Sequence, residues 1–392
     1  MHRSGHERPV RDRLLAERAS LFRSIAQDLV DDLGSLTERV ASVAAPTGEE
    51  GERSRLVADF FRDAQLSVHV DDLADVVAVV PGSSSGPAVL LAAHLDTVFP
   101  VGTPLSITRS DDRIIGPGVG DNSLGVAALM LIPTLLARAG IRPAVDLLLA
   151  ADVGEEGLGN LRGMHAVMDA WPGTGAVVAI EGHNLGRLTH VAVGSRRLRL
   201  TARGPGGHSW GDAGRPSAIH ALGGVVSQLS ALSLSRTPKT SLNVGTFEGG
   251  VSVNTIAPTA TCVIDLRSVD DTSLGHLATQ VQHIVDAHNG GGITITIEVI
   301  GDRPAGIVPL DSAIVRHATA VLEALGVEAT FDASSTDANV PISRGIPAVC
   351  IGLSHGGNVH REDEYVELGP AAMGLAQLGL LTVALADHLS QS

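Results

Sequence analysis

Aromatic residues make up only 2% of this 392-residue chain (six Phe, two Trp and one Tyr), so its core has to be built from Val, Leu, Ala and Ile. Cysteine is equally sparse. Cys262 and Cys350 both sit inside apolar, strand-like runs. One disulfide is arithmetically possible, but two buried thiols are the better expectation, because free cysteine packs as a small hydrophobe and disulfides are rare in the cytosol. Positive charge is also short: 28 Lys and Arg face 43 Asp and Glu, a formal net charge of −15. That argues against a nucleic-acid partner, since phosphate binding needs a basic face. The segment Met1–Ser20 lacks the apolar core of a signal peptide. No uncharged apolar stretch reaches the ~18 residues of a membrane span. These absences predict a cytoplasmic protein with no membrane partner and a frayed basic amino-terminal arm.

What is present is a repeated pattern of apolar runs that stop at an acid or a histidine. Val89–Ala93 leads into His94-Leu95-Asp96, and Val145–Ala151 leads into Asp152 and then Glu155-Glu156. Val177–Ile180 ends at Glu181, and Ala348–Leu353 runs into His355 and His360. Such runs read as buried strands, and ligands of open α/β sheets gather at the carboxyl ends of the strands. The pattern points to a metal-dependent hydrolase.

Around these strands the pattern predicts helices over Leu21–Val43, Glu49–Ala64, Ser123–Arg138 (kinked or broken at Pro133), Ser312–Leu325, and Ala371 to the end. The middle reads differently. A half-exposed strand around Leu198–Ala202 is followed by an amphipathic helix at Ser217–Leu232 and strands at Leu242–Phe247 and Thr259–Leu266. A second helical stripe, Leu274 to Val285, and an alternating strand, Ile293–Val299, complete a βαββαβ order, the ferredoxin-like arrangement. The length favours two or three domains. The fold class is therefore α/β, a mixed, mostly parallel sheet flanked by helices, with an inserted ferredoxin-like α+β lid. The catalytic domain occupies residues 1–190 and 303–392, and the lid residues 191–302.

Each candidate residue also has a plainer reading. His94 and Asp96 are two apart, so at a strand end they share a face and Asp96 can accept the second ring N–H of His94. Asp121, ahead of a helix, is either an N-cap or a carboxylate bridging two metals. Glu155 and Glu156, flanked by Gly154, Gly157 and Gly159, are either an exposed pair or one metal ligand beside one base. Glu181 would otherwise pair with an Arg, and His360 has His355 as a competitor.

Taken together the chain resembles the family-twenty metallopeptidases, co-catalytic zinc exopeptidases and deacylases such as aminoacylase, acetylornithine deacetylase, succinyl-diaminopimelate desuccinylase, peptidase T and glutamate carboxypeptidase. The resemblance rests on His94-Leu95-Asp96-Thr97-Val98-Phe99-Pro100, Gly118-Val119-Gly120-Asp121, Gly154-Glu155-Glu156-Gly157, Gly207-His208-Ser209 and Gly249–Ile256. It implies two Zn²⁺ (with Co²⁺ or Mn²⁺ as other occupants), one held by His94, Glu181 and bridging Asp121, the other by Glu156, His360 and the same Asp121. It further implies Glu155 as general base, Asp96 as the residue orienting His94, and His208 as a lid histidine reaching the site of a homodimer partner. Asn254 and Arg267 match lid positions that hold substrate, with Arg267 suited to a carboxylate. The substrate expected is a small peptide or an N-acyl amino acid. Two departures, Asn122-Ser123-Leu124-Gly125 after Asp121 and Glu rather than Asp at 181, touch substrate choice more than metal binding. An exopeptidase or dipeptidase is the first reading and an N-acyl amino acid deacylase the second. A metal-stabilised, non-catalytic dimeric binding protein is the reading outside enzymes.

Overall fold

A computed structural model describes residues 7–391, so any amino-terminal arm over Met1–His6 lies outside the described residues. From Glu7 onward the expected arm is instead helical, as Glu7–Asp28, and the expected single helix over Leu21–Val43 is divided there from Val30–Ala41. Leu29 separates the two with φ −97° and ψ 0°. Leu29 itself is buried, so the break re-aims the chain without exposing apolar surface.

The chain divides into two compact units, one formed by the residues up to His190 and from Ile307 on, the other by Val191–Gly306. In the first, strands follow the spatial order Ser67–Val70, Val76–Val80, Leu147–Asp152, Ala88–His94, Thr174–His183, Ala348–Ser354, Arg187–Ala192. The four central neighbours, from Leu147–Asp152 to Ala348–Ser354, are parallel, and antiparallel strands flank them on both sides. These central strands are buried along nearly their whole length, which is why they read as unbroken apolar runs.

Two helices pack into this unit with apolarity on almost every side. Leu368–Leu389 and the stretch Val119–Ala139 are long and apolar enough to cross a membrane, contrary to the sequence reading, but are 78% and 83% buried within the fold. Leu124–Ala139 runs through Pro133 unbroken. Burial of Leu129, Met130, Leu131, Ile132, Leu135 and Leu136 around that position outweighs the one main-chain bond the proline removes.

The second unit is the βαββαβ arrangement. Its antiparallel sheet has the order Thr240–Gly249, Thr259–Ser268, Gly194–Arg203, Thr294–Arg303. Helices Ala218–Ser230 and Asp271–Ala287 cover one face, where Leu198, Leu200, Cys262, Ile264 and Leu266 meet Leu222, Val225, Leu277 and Val281. Arg197, Arg199 and Arg203 alternate with these and take the other face. Cys262 and Cys350 are both buried and free.

Candidate metal centre

The carboxyl-terminal parts of the four parallel strands, and the loops that follow them, bring His94, Glu156, Glu181 and His360 close together. His94 closes the strand Ala88–His94 and is 1% exposed. Its Nε2 lies 3.2 Å from Asp121 Oδ1 and 3.8 Å from Glu181 Oε2. Across the site His360 Nε2 lies 3.0 Å from Asp121 Oδ2 and 3.3 Å from Glu156 Oε1. The five residues thus form two triads, His94–Asp121–Glu181 and Asp121–Glu156–His360, in each of which the ligand atoms lie within 4.8 Å of one another. Asp121 is common to both. His360 rather than His355 is turned into the site, from a backbone position with φ 66°.

Asp121 does not cap a helix. It belongs to a short irregular turn, Val119–Ser123, with φ −109° and ψ 86°, and the Asp121–Asn122 peptide is cis. Asn122 is fully buried and donates to Ile180 O at 2.6 Å, tying the turn to the strand that bears Glu181.

Asp96 is placed differently from the sequence expectation. The strand ends at His94, so the two-residue alternation no longer applies two positions later. His94 Nδ1 is 3.0 Å from the main-chain oxygen of Asp96 and 3.5 Å from its carboxylate. The carboxylate instead accepts from Glu155 N (3.0 Å), Glu156 N (2.9 Å) and Thr47 Oγ1 (2.8 Å). It therefore clamps the Glu155-Glu156 turn as much as it faces His94. Both glutamates are buried, not an exposed pair.

The donor set fits a divalent cation. His94 Nε2 is buried with no hydrogen-bond partner, while two carboxylates converge on it, and neutral imidazole with carboxylates is a usual set for zinc and its neighbours. Protons take the positive role otherwise. Burial disfavours charging His94, but Asp121, Asp96 and Glu181 outweigh it and lift its pKa well above the ordinary histidine value. Hydrogen bonds to Asp121 and Glu156 push His360 up to about 10. Burial works against ionising Asp121 as well, yet hydrogen bonds from His360 and His94 hold it well below the usual carboxylate range. For Glu156 burial wins, and its pKa is raised.

The substrate-side candidates all belong to the second unit. His208 Nδ1 accepts from Trp210 N and Gly211 N, each at 3.2 Å, which leaves the ring proton on Nε2. Asn254 is exposed; its main-chain oxygen accepts from Ser209 N and its side chain from Ser252 Oγ. Arg267 Nε donates to Asp265 Oδ2 at 2.8 Å.

Two residues at this centre went unread. Glu364, fully buried, accepts from three amides of the Asp121 turn, and His183 binds its Oε1 at 2.7 Å. Nothing in Arg361-Glu362-Asp363-Glu364 marks the last acid as buried. His183 carried a usable signal: it lies two residues beyond Glu181 on one strand, and so on the same face.

The succinyl-diaminopimelate desuccinylase of Corynebacterium glutamicum is 26% identical over 351 residues, covering 86% of this chain and 92% of that protein. A putative succinyl-diaminopimelate desuccinylase of Mycobacterium tuberculosis is 31% identical over 294 residues, covering 72% and 78%. The crystal structure of aminopeptidase PepT from Bacillus cereus superposes with a TM-score of 0.77 at 20% identity, over 91% of this chain and 99% of that one, a likeness of fold. Residues 90–381 match the profile of peptidase family M20/M25/M40, and the chain belongs to that family.

Proposed function

We propose that this hydrolase works with a dinuclear metal centre, zinc being the expected ion and cobalt or manganese suited to the same sites, and that it cleaves the amide bond of a small peptide or N-acyl amino acid. The observation that carries the reading is Asp121, set between two histidines from distant segments, each with a further carboxylate in reach. His94, Asp121 and Glu181 would hold one ion, and Asp121, Glu156 and His360 the other. Bound there, the ions supply Lewis acidity toward a carbonyl oxygen and a water.

The chain's own residues do the rest. Glu155, held with Glu156 by the Asp96 clamp, takes the proton of the attacking water and returns it to the departing amine. The unit Val191–Gly306 serves as lid and dimerisation domain. From it His208 offers Nε2–H to the developing oxyanion in a partner subunit, while Asn254 and Arg267 hold the substrate. A cytoplasmic setting agrees with the two free thiols.

An exopeptidase or dipeptidase remains the first reading. The two desuccinylase relatives favour a deacylase. Metal analysis, combined with a panel of dipeptides and N-acetyl, N-succinyl and N-carbamoyl amino acids, separates them. Glu155→Ala is expected to keep its metal and to lose on the order of 10²–10⁴ in rate. An active variant, or one that sheds metal, contradicts the assignment. A metal-loaded wild type inert over the whole panel would point to the non-catalytic binding protein, and a purely monomeric active enzyme would remove the role of His208 in a partner site.

A further inference from the structure

The carboxylate of Glu364 is a junction for the segments that carry three of the proposed ligands. Its Oε2 accepts from Gly118 N at 3.0 Å, and its Oε1 from Gly120 N at 3.0 Å, Asp121 N at 2.8 Å and His183 Nε2 at 2.7 Å. Glu364 follows His360 by four residues, and His183 follows Glu181 by two. One buried side chain therefore connects the Asp121 turn, the end of the Glu181 strand and the loop of His360. The turn has irregular backbone, with Gly118 at φ 69° and Asp121 off the helical region. Its three amides find their acceptor in this carboxylate rather than in a helix or a ladder.

The surrounding glycines are shaped to this contact. A Cβ on Gly120 would fall 2.0 Å from His183 Nε2, and one on Gly356 would fall 2.7 Å from His183 Nδ1. The imidazole thus lies against two positions that lack a side chain; alanine at 120 would press directly on the ring beside Glu364, whereas alanine at 356 would meet the main-chain oxygen of Tyr365 before the ring. A fold that needed only a filled interior could use an apolar pair here. Burying a carboxylate is costly unless its hydrogen bonds are satisfied, and four donors are assembled to satisfy this one.

We infer that Glu364, with His183 as its link to the Glu181 strand, is a positioning residue that fixes Asp121 between the two triads and so sets the affinity of both metal ions together. The inference rests on the dinuclear reading above. Because Asp121 is the shared member, loosening its turn weakens both sites in parallel, whereas damage to an unshared ligand falls mainly on one.

Glu364→Gln tests this. It keeps an acceptor for Gly120, Asp121 and His183 but turns an amide NH₂ toward Gly118 N–H and removes the charge. Metal-free wild type and variant are titrated with Zn²⁺ by calorimetry and with Co²⁺ by visible absorption. The expected result is a loss of about 10–100-fold in affinity for both ions, the usual effect of removing a residue that supports a ligand, together with a changed cobalt spectrum. If the variant does not melt cooperatively, His183→Asn, which leaves the three amide bonds of Glu364 intact, replaces it, with a smaller parallel loss expected. Wild-type affinities and spectrum in the folded variant overturn the proposal alone, as does a loss confined to one ion. A wild type that binds no metal overturns the dinuclear reading and this proposal with it.

Discussion

Asp96→Asn is the sharpest probe of the site's architecture, because it removes a charge while keeping size and shape. The wild-type carboxylate is fully buried and accepts three hydrogen bonds. Asparagine with its oxygen in the Oδ2 position keeps those from Thr47 and Glu156, but its NH₂ then confronts Glu155 N–H. Leaving that buried donor unsatisfied costs about 1–3 kcal/mol. A second route to the magnitude comes from protonation. Burial alone would raise the pKa of Asp96, yet His94, Thr47 and the Glu156 amide bring it down from 3.8 to about 2. At about 1.36 kcal/mol per unit, that drop corresponds to roughly 2–3 kcal/mol of stability at neutral pH. The two routes rest on partly different contacts of one carboxylate, whose charge both remove, and are not summed.

Urea unfolding of the metal-free protein at pH 7, with chelator present, should therefore show the variant about 2–3 kcal/mol less stable. Because the folded pKa is depressed, the wild-type advantage is fully present above the ordinary value of 3.8 and is lost as pH falls through about 2, so the gap narrows only in strong acid. Metal affinity should also fall by about 10–100-fold, since the Glu155-Glu156 turn loses its clamp. A variant as stable as the wild type at pH 7, with unchanged metal binding, would refute the clamp.

Asp75 reports the opposite sign. Burial, then Asp71, raises its pKa to about 8, so the folded protein carries a proton there that the unfolded chain releases, and stability declines as pH rises from about 4 to about 8. Asp75→Asn keeps the acceptor for Val153 N and should gain up to about 5 kcal/mol over wild type at pH 8 and almost nothing at pH 4; equal urea midpoints at pH 8 would contradict it. Metal loading should release protons at pH 7–8, because the pKa of His360 is about 10 without a cation. Calorimetry in buffers of different ionisation enthalpy measures that release, and a buffer-independent heat would count against the ligand role of His360.

Much of this centre was legible because burial and function meet at strand ends. Val89–Ala93 and Val177–Ile180 are apolar on both faces, so His94 and Glu181, where the runs stop, stood out. The βαββαβ order was legible for a related reason: alternation in Leu198, Leu200 and Ala202 and the helical stripe from Leu274 to Val285 each carry their own period. Context decided the rest. Glu364 sits in a charged run that reads as solvated, and its burial depends on amides of a turn far away in sequence. Asp96 looked like a partner of His94 alone, since nothing local says that the strand ends two residues before it. Leu368–Leu389 passes every test of apolar length, and only the sheet that it covers explains why.

The two thiols divide between the two compact units, Cys350 on a central strand of one and Cys262 in the helix-covered sheet of the other. Burial pushes Cys262 up to about 11 and Cys350 higher than an ordinary thiol, so alkylating reagents meet neither while its surroundings stay closed. Each half of the molecule thereby contains one natural tag for its own unfolding. Mass spectrometry of timed alkylation could follow the halves separately in the unaltered protein, and any cysteine added at the surface would be labelled against a silent background.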